Sequence, residues 1–416
     1  MTMSHGQQRS HTFGAVTRRS FLHTTAVTGG VLLVNAATAF RAHANERLRL
    51  GLIGCGGRGP WIADLFEKHT NTKCVAVHDY FYDEVTSVGD RFNVPKERRF
   101  IGLDGYHELV HSEVDIVAVQ TPSYFHPEQA IAALEAGKPV YMAKPVAADV
   151  YGCLRLLEAS KKYDGKLSMW VDFQTRANPA YLERVQAVHE GIMGKPICGQ
   201  AYYHTARIGI RTNPAQKTAH LRNWVFDIQL SGDIIVEQNI HTLDVANWIL
   251  RQHPVRATGT GGRKVRTDIG DCWDHFVVTY IYPDGFILDF MSTQFTTGYE
   301  DICTRIFGEE GTIDCHYFKK VSLETKKQTF PDASTGNIYT DGAVANIKKF
   351  HESVVSGTPI NNFPSAIEST LTCLLGRTAA YEGRTVTWDD LIAGNQRNTP
   401  NLDLPPDGPY EHREPV

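Results

Sequence analysis

Residues 48–59 read Leu-Arg-Leu-Gly-Leu-Ile-Gly-Cys-Gly-Gly-Arg-Gly, and this stretch decides the fold. Apolar Leu48, Leu50, Leu52 and Ile53 stop abruptly at Gly54, Gly56 and Gly59, the spacing G-x-G-x-x-G. The pattern predicts a strand, a tight turn and a helix. The first glycine lets the chain turn, the second lets a pyrophosphate approach bare backbone, and the third lets helix and strand pack closely. The helix N-terminus then offers unpaired N–H groups to phosphate, so Gly57 and Arg58 inside the turn join the candidate binding residues. Alone, such a turn is weak evidence. Here Cys74 to Asp79, CVAVHD, reads as a second buried strand ending on an acid about 20 residues beyond the last glycine, where a carboxylate can hold a ribose 2′-hydroxyl. Such an acid favours NAD and repels the 2′-phosphate of NADP.

At 416 residues the chain can build two domains, each with its own core. Hydrophobic and charged contents of 42% and 21% are those of a globular protein, and a net charge of −4 supplies no basic field for nucleic acid. Beyond the N-terminal segment no apolar run is long enough to span a bilayer. That segment carries Thr17 to Leu22, TRRSFL, then a small-residue run from Thr24 to Phe40 and Ala42-His43-Ala44. It resembles a twin-arginine export signal built on Arg18 and Arg19, with cleavage near Ala44, mature chain from Asn45 and a periplasmic destination. All eight cysteines lie beyond it, with no C-x-x-C and no Cys/His cluster at zinc spacing, so no metal site is expected. Their simplest reading is as small buried hydrophobes, with disulfides open in an oxidising compartment.

After Asp79, helices are predicted at Glu84 to Phe92, Tyr106 to His111, Pro127 to Ala136 and Val150 to Tyr163. Between them lie apolar strands at Val114 to Val119, Pro139 to Met142 and Leu167 to Val171. Alternating strands and helices imply a parallel, doubly wound sheet over residues 45–172. Near Phe173 the composition shifts toward long β-like stretches at Ile197 to Ala206, His275 to Ile281, Phe286 to Phe295, Cys303 to Phe307 and Thr312 to Cys315. Hairpin signals such as Pro283-Asp284-Gly285 make the sheet of this second domain, residues 173–395, mostly antiparallel. One continuous helix is expected from Ile234 to Leu250 and two late ones at Asn346 to Val355 and Ala366 to Tyr381. Residues 396–416 are polar and proline-rich, an extended arm.

Ligands of open α/β sheets bind beyond the carboxyl ends of strands. Thr121, Pro122 and His126 follow one such strand, and Lys144 follows the next. In Gly232 to Asp244, GDIIVEQNIHTLD, a continuous helix puts Glu237 and His241 on one face with Asp244 three residues on. A carboxylate and an imidazole so placed suit proton removal from an alcohol. A salt-bridged glutamate and a packed core histidine fit the same spacing.

The ordered set GCGGRG, DIVAVQTPSYFH, AGKPVYMAKP, FQTRANP and EQNIHTLD, from about Arg47 to at least Cys315, resembles the Gfo/Idh/MocA oxidoreductases. The resemblance implies a Rossmann domain followed by an α/β domain whose open sheet commonly forms homo-oligomer contacts. It makes Lys144 the lysine beside the nicotinamide and reacting hydroxyl, His241 the catalytic histidine, and Glu237 the carboxylate before it. Gln174 joins the cofactor residues and Arg176 the substrate residues. Two departures stand out: Ala143 replaces the family's glutamate before the lysine, and Glu237 replaces an aspartate with one extra residue after Gly232. The implied protein is an exported oxidoreductase with tightly held NAD, acting on a secondary alcohol of a sugar, glycoside or polyol. His204, Arg207, Trp224, Asp227 and Asp244 are further candidates for the carbohydrate. The alternatives are a glycoside hydrolase of the same family that recycles its NAD, and a non-catalytic sugar-binding or sensor protein that keeps the fold.

Overall fold

β1 (Leu48–Ile53) occupies the middle of the first sheet, and Leu50, Leu52 and Ile53 are wholly buried because both faces of the strand are covered. The computed structural model describes residues 47–402 except 217, with 404–406 and 408. The segment assigned to export, residues 1–44, lies outside the described residues. β1 is flanked by β2 (Thr72–Asp79) and β3 (Arg99–Ile101) on one side, and by β4 (Ile116–Val119), β5 (Val140–Met142) and β6 (Met169–Val171) on the other. All six strands are parallel, in the order β3-β2-β1-β4-β5-β6. Chain order reverses between β1 and β4, which opens a crevice at their carboxyl ends.

The helix Arg58–His69 presses Ile62, Ala63 and Phe66 onto this sheet. Phe66 meets Tyr141 and Phe350 edge-on at 5.3 and 6.2 Å. Phe350 belongs to the much later helix Ile338–Val355, so the end of the chain returns to cover the first sheet. The helix Phe363–Glu382 continues this return and packs on both Val150–Tyr163 and the second sheet.

The second sheet comprises β7 (Pro196–Thr205), β8 (Arg256–Gly262), β9 (His275–Ile281), β10 (Ile287–Gln294), β11 (Asp301–Gly308), β12 (Gly311–His316), β13 (Lys320–Thr325), β14 (Thr329–Ser334) and β15 (Val386–Thr387). Its nine strands run β14-β13-β12-β11-β7-β10-β9-β8-β15, antiparallel except for the pair β7 and β10. The fold is therefore α/β, a Rossmann sheet joined to a mixed, mostly antiparallel one.

The continuous helix expected over Ile234 to Leu250 is broken. Ile234–Glu237 ends as the N–H groups of both Gln238 and Asn239 turn to the Ile234 carbonyl at 2.9 Å, and Ile240–Leu250 starts anew. Among the described residues the arm has neither helix nor strand after Asn395, yet it is anchored: the Asn398 N–H donates to Asp149 at 2.6 Å, and the Pro406 carbonyl accepts from the Leu103 N–H at 2.7 Å. Among the described residues, no helix is long and apolar enough to cross a membrane.

Candidate active site

The glycine turn has the shape its sequence demands. Gly54 has φ +99°, and a Cβ there would meet the Gln120 carbonyl carbon at 2.6 Å; one at Gly59 would lie 1.9 Å from the Gly54 oxygen. Only glycine fits either position without displacing backbone. At the end of β2, Asp79 accepts from the Cys55 N–H at 2.7 Å and the Phe81 N–H at 3.0 Å. Burial pushes its carboxyl up to about 6, against the pull of those two N–H groups. Gly54, Gly56, Gly57, Asp79, Thr121 and Pro122 line one cleft. A dinucleotide fits this donor set: bare backbone amides at a helix start, a cradle that side chains would fill, and an acid beyond it.

The second domain supplies the opposite wall with Arg211, Leu221, Arg222 and Trp224. None of the four follows from the glycine pattern, and Trp224, expected at a sugar, stands here instead. Arg222 lies 3.8 Å above the Phe81 ring and donates to both carboxylate oxygens of Asp83 at 2.7 Å and to Glu84 at 3.2 Å. Its charge is thus already met by two carboxylates.

Three expected cofactor residues, of which Arg58 lines the cleft, have side chains held by protein partners. The Arg58 guanidinium reaches away to Asp172 and, at 2.8 Å, to the Tyr339 hydroxyl, bracing the turn against the late helix Ile338–Val355. His126 is buried with its ring nitrogens 2.7 Å from the Pro145 carbonyl and 2.8 Å from that of Thr121. Burial lowers its pKa to about 4, so the ring is neutral and its single N–H can be donated to only one of these carbonyls, behind the cleft. Gln174 donates to Asp172 and accepts from the Tyr317 hydroxyl, both at 3.3 Å.

Lys144 leaves the carboxyl end of β5 and donates from Nζ to the Glu237 backbone carbonyl and, at 3.2 Å, to Glu237 Oε1. The helix break carries Glu237 out of the turn of His241, so its carboxylate holds the lysine. Half-buried His241 has its ring 5.1 Å from that of Tyr317 and 6.4 Å from Phe173. Burial, and then the positive charges of Lys144 and Arg58, hold its pKa well below the usual value, so the imidazole is neutral at pH 7. Its Nδ1 has no hydrogen-bond partner among the described residues. Asp244, one helical turn on, therefore does not bond that nitrogen. Asp244 is fully buried and taken by Arg176, whose Nε and Nη2 both approach to 2.9 Å, and by the Ser369 hydroxyl at 2.7 Å. That pair ties the helix Ile240–Leu250 to the segment after β6, and Arg176 is thereby withdrawn from any ligand.

Asp172 and Tyr317 are the neighbours that the sequence reading lacks. Asp172 accepts from Arg58, Gln174 and, at 2.8 Å, Asn346, while Tyr317 reaches the same network through Gln174. Asp172 closes β6 as Asp79 closes β2, a positional signal that was available.

The remaining sugar candidates do not gather around Lys144. His204 Nδ1 faces the Thr293 hydroxyl at 3.0 Å on the sheet, and Arg207 pairs with exposed Asp268. Asp227 caps Ile228–Ser231, bonds His220 and borders a separate small cavity with Asp271. Sheet register also creates one cluster that spacing could not show, since β11 and β12 bring Asp301, Cys303 and His316 within 4.8 Å. There His316 bridges Asp314 and Asp301, which raise its pKa, while Arg305 bonds Asp314. The eight cysteines are unpaired.

Residues 48–171 match the oxidoreductase family with an NAD-binding Rossmann fold, and residues 181–314 match the GFO/IDH/MocA C-terminal domain. The chain is similar to inositol 2-dehydrogenase of Acidothermus cellulolyticus, 29% identical over 65% of this chain and 73% of that protein. It is also similar to myo-inositol 2-dehydrogenase of Thermotoga maritima, 26% identical over 75% of this chain and 90% of that protein. Its fold is shared with an oxidoreductase domain protein from Kribbella flavida (TM-score 0.70, 19% identity, 82% and 99% of the two chains). A levoglucosan dehydrogenase solved with NADH shares it too (TM-score 0.67, 18% identity, 82% and 99%). With both halves matched in order, and the glycine turn and paired sheets in place, the chain belongs to the Gfo/Idh/MocA family of NAD-binding oxidoreductases acting on CH–OH groups.

Proposed function

We propose that the protein is an exported, NAD-dependent oxidoreductase acting on a secondary alcohol of a sugar, glycoside or polyol. The observation that carries this reading is Lys144 held on Glu237 at the carboxyl end of β5, beside a His241 kept neutral by its surroundings. Bound NAD supplies the hydride acceptor. A neutral imidazole can take the hydroxyl proton, and the Lys144 ammonium can stabilise the oxygen as negative charge develops on it. Glu237 fixes the lysine for that task. The inositol dehydrogenases among similar proteins support a polyol or sugar as substrate. Asp79, with Arg222 already neutralised, supports NAD over NADP. Arg18 and Arg19 support twin-arginine export to the periplasm, with the signal removed near Ala44. Exposed Val277, Ile287 and Met291 on the outer sheet face support a homo-oligomer.

A second reading keeps the same chemistry but returns the hydride to the product, so that a glycoside is hydrolysed and NAD is recycled. It is favoured by the C-terminal arm, whose Leu402 and Leu404 pack behind Tyr80, Phe81 and Leu221 at the cleft wall and suit a cofactor that stays bound. Ultraviolet spectra of the purified protein, before and after candidate sugars are added, test both readings. Reduction of bound NAD that persists marks a net oxidation, and transient reduction with release of an aglycone marks the hydrolase. Absence of any reduction across sugars and polyols would overturn both in favour of a non-catalytic binding or sensor protein.

A further inference from the structure

We infer that Arg211, from the second domain, is the clamp for the dinucleotide pyrophosphate; this rests on the dinucleotide reading of the cleft. The glycine turn that approaches phosphate carries no side chain of its own at Gly56 and Gly57. Arg211 occupies that space. A Cβ on Gly57 would lie 2.7 Å from Arg211 Nη2, and one on Gly56 would lie 3.5 Å from Nη1. Both terminal nitrogens of one guanidinium therefore face the bare turn at which the helix Arg58–His69 begins.

The loop that delivers this side chain is pinned. Buried Asn223 accepts from the backbone N–H groups of Arg211 and Thr212 at 2.9 and 3.3 Å, and donates back to the Thr212 carbonyl at 2.9 Å. Asn223 directly precedes Trp224 and follows Arg222, so the same short segment builds the whole second-domain wall of the cleft.

Charge separates Arg211 from its neighbours. Arg58 is bonded to Asp172, Arg207 to Asp268 and Arg222 to Asp83 and Glu84. Among the described residues, no carboxylate lies within ion-pair distance of Arg211. The acids of the cleft are Asp79, bonded to the Cys55 N–H, and Glu84, shared with Arg222, while the Arg211 guanidinium, without such a partner among the described residues, stands over the glycine turn. A ribose beside the acids and a diphosphate under a planar, two-pronged cation match this arrangement. The helix start offers only partial positive charge to a diphosphate that carries two negative ones, and Arg211 completes the balance. Because it comes from the other domain, it also makes cofactor binding a link between the two halves of the chain.

The test uses the full chain, with NADH, ADP-ribose and adenosine as probes and fluorescence or displacement titration as the readout. Arg211→Ala is expected to weaken NADH and ADP-ribose by about 10- to 100-fold while leaving adenosine unchanged, since adenosine lacks the diphosphate. Arg211→Lys should recover part of the loss, and the salt dependence of NADH binding should flatten in the alanine variant. Wild-type protein that binds both dinucleotide probes, with Arg211→Ala binding them equally well, overturns the clamp and leaves the dinucleotide reading standing. Equal weakening of adenosine also overturns it, because the residue would then only support the wall. Wild-type protein that binds neither NADH nor ADP-ribose overturns the dinucleotide reading and the clamp with it.

Discussion

The dinucleotide cleft and the Lys144 centre are built in opposite ways. The cleft depends on backbone and on side chains that are missing: Gly54, Gly56, Gly57 and Gly59 lie within one turn, and Asp79 ends the neighbouring strand. The Lys144 centre depends on side chains brought from afar, for Lys144 and Glu237 are 93 residues apart and meet only because the two sheets dock. The glycine turn is damaged by adding atoms, and the Lys144 centre by removing them. Separate variants should therefore silence each without disturbing the other.

The largest effect should follow from Lys144→Ala or His241→Ala. Either should slow single-turnover reduction of bound NAD by about two to four orders of magnitude, the worth of a positioned acid or base, with NADH binding close to wild type. Wild-type reduction rates in both variants would remove the contrast. The converse change is Gly59→Ala, whose new Cβ would stand 1.9 Å from a backbone oxygen that cannot move without opening the turn. NADH titration should show at least about a tenfold loss, as overpacking against fixed backbone implies. Unchanged affinity would show that the turn does not hold the nucleotide.

Glu237→Gln sharpens the comparison, because the backbone carbonyl of residue 237 still holds Lys144 when the carboxylate is gone. The rate should fall by about tenfold, the value of one hydrogen bond to a charged group, and a loss as large as that of Lys144→Ala would make Glu237 a proton carrier in its own right. The smallest effect is a pH dependence. The Asp79 carboxyl is raised from 3.8 to about 6, so between those values the folded protein holds a proton that the unfolded chain has released. Its contribution to folding is greatest on the acid side and is lost as pH rises through about 6. Nucleotide binding runs the other way, since ribose hydroxyls donate best to the anion. NADH affinity should decline by no more than about tenfold per pH unit below that point, and Asp79→Asn should flatten the decline. An Asp79→Asn protein with the wild-type pH profile would assign the titration to another group.

What the sequence discloses follows the same division. The helices Tyr106–His111 and Val150–Tyr163 and strand β9 coincide with their expected bounds, because local apolar periodicity sets them. β8, RATGTGG, offers almost no apolar alternation and is strand only because β9 and β15 pair with it. The break after Glu237 leaves no mark in a stretch whose spacing suits a helix throughout, and it is Asp233, at φ +81° and bonded by the Tyr381 hydroxyl at 2.6 Å, that fixes how this segment enters. Lys144 could be singled out by its place after a strand and His241 by its spacing from Glu237, and the family resemblance gives each a role. Arg211 could not be, for a lone arginine in a polar loop acquires meaning only when Asn223 sets it over the glycines. The sugar candidates are not gathered, since His204, Arg207 and Asp227 each bond a different neighbour, Thr293, Asp268 and His220, on separate parts of the second domain.

The C-terminal arm has a consequence in time. Gln396, Asn398 and Pro406 bond Tyr151, Asp149 and Leu103, so the outer support of this side of the cleft comes from a segment far along the chain from it. Every lining residue of the cleft precedes them in the chain. A chain synthesised no farther than Trp224 already holds all of that lining with its back unsupported, and Leu402 and Leu404 can settle behind Tyr80 and Phe81 only after residues 225–401 have followed. The order of synthesis thus places the groove well ahead of the segment that fastens its wall.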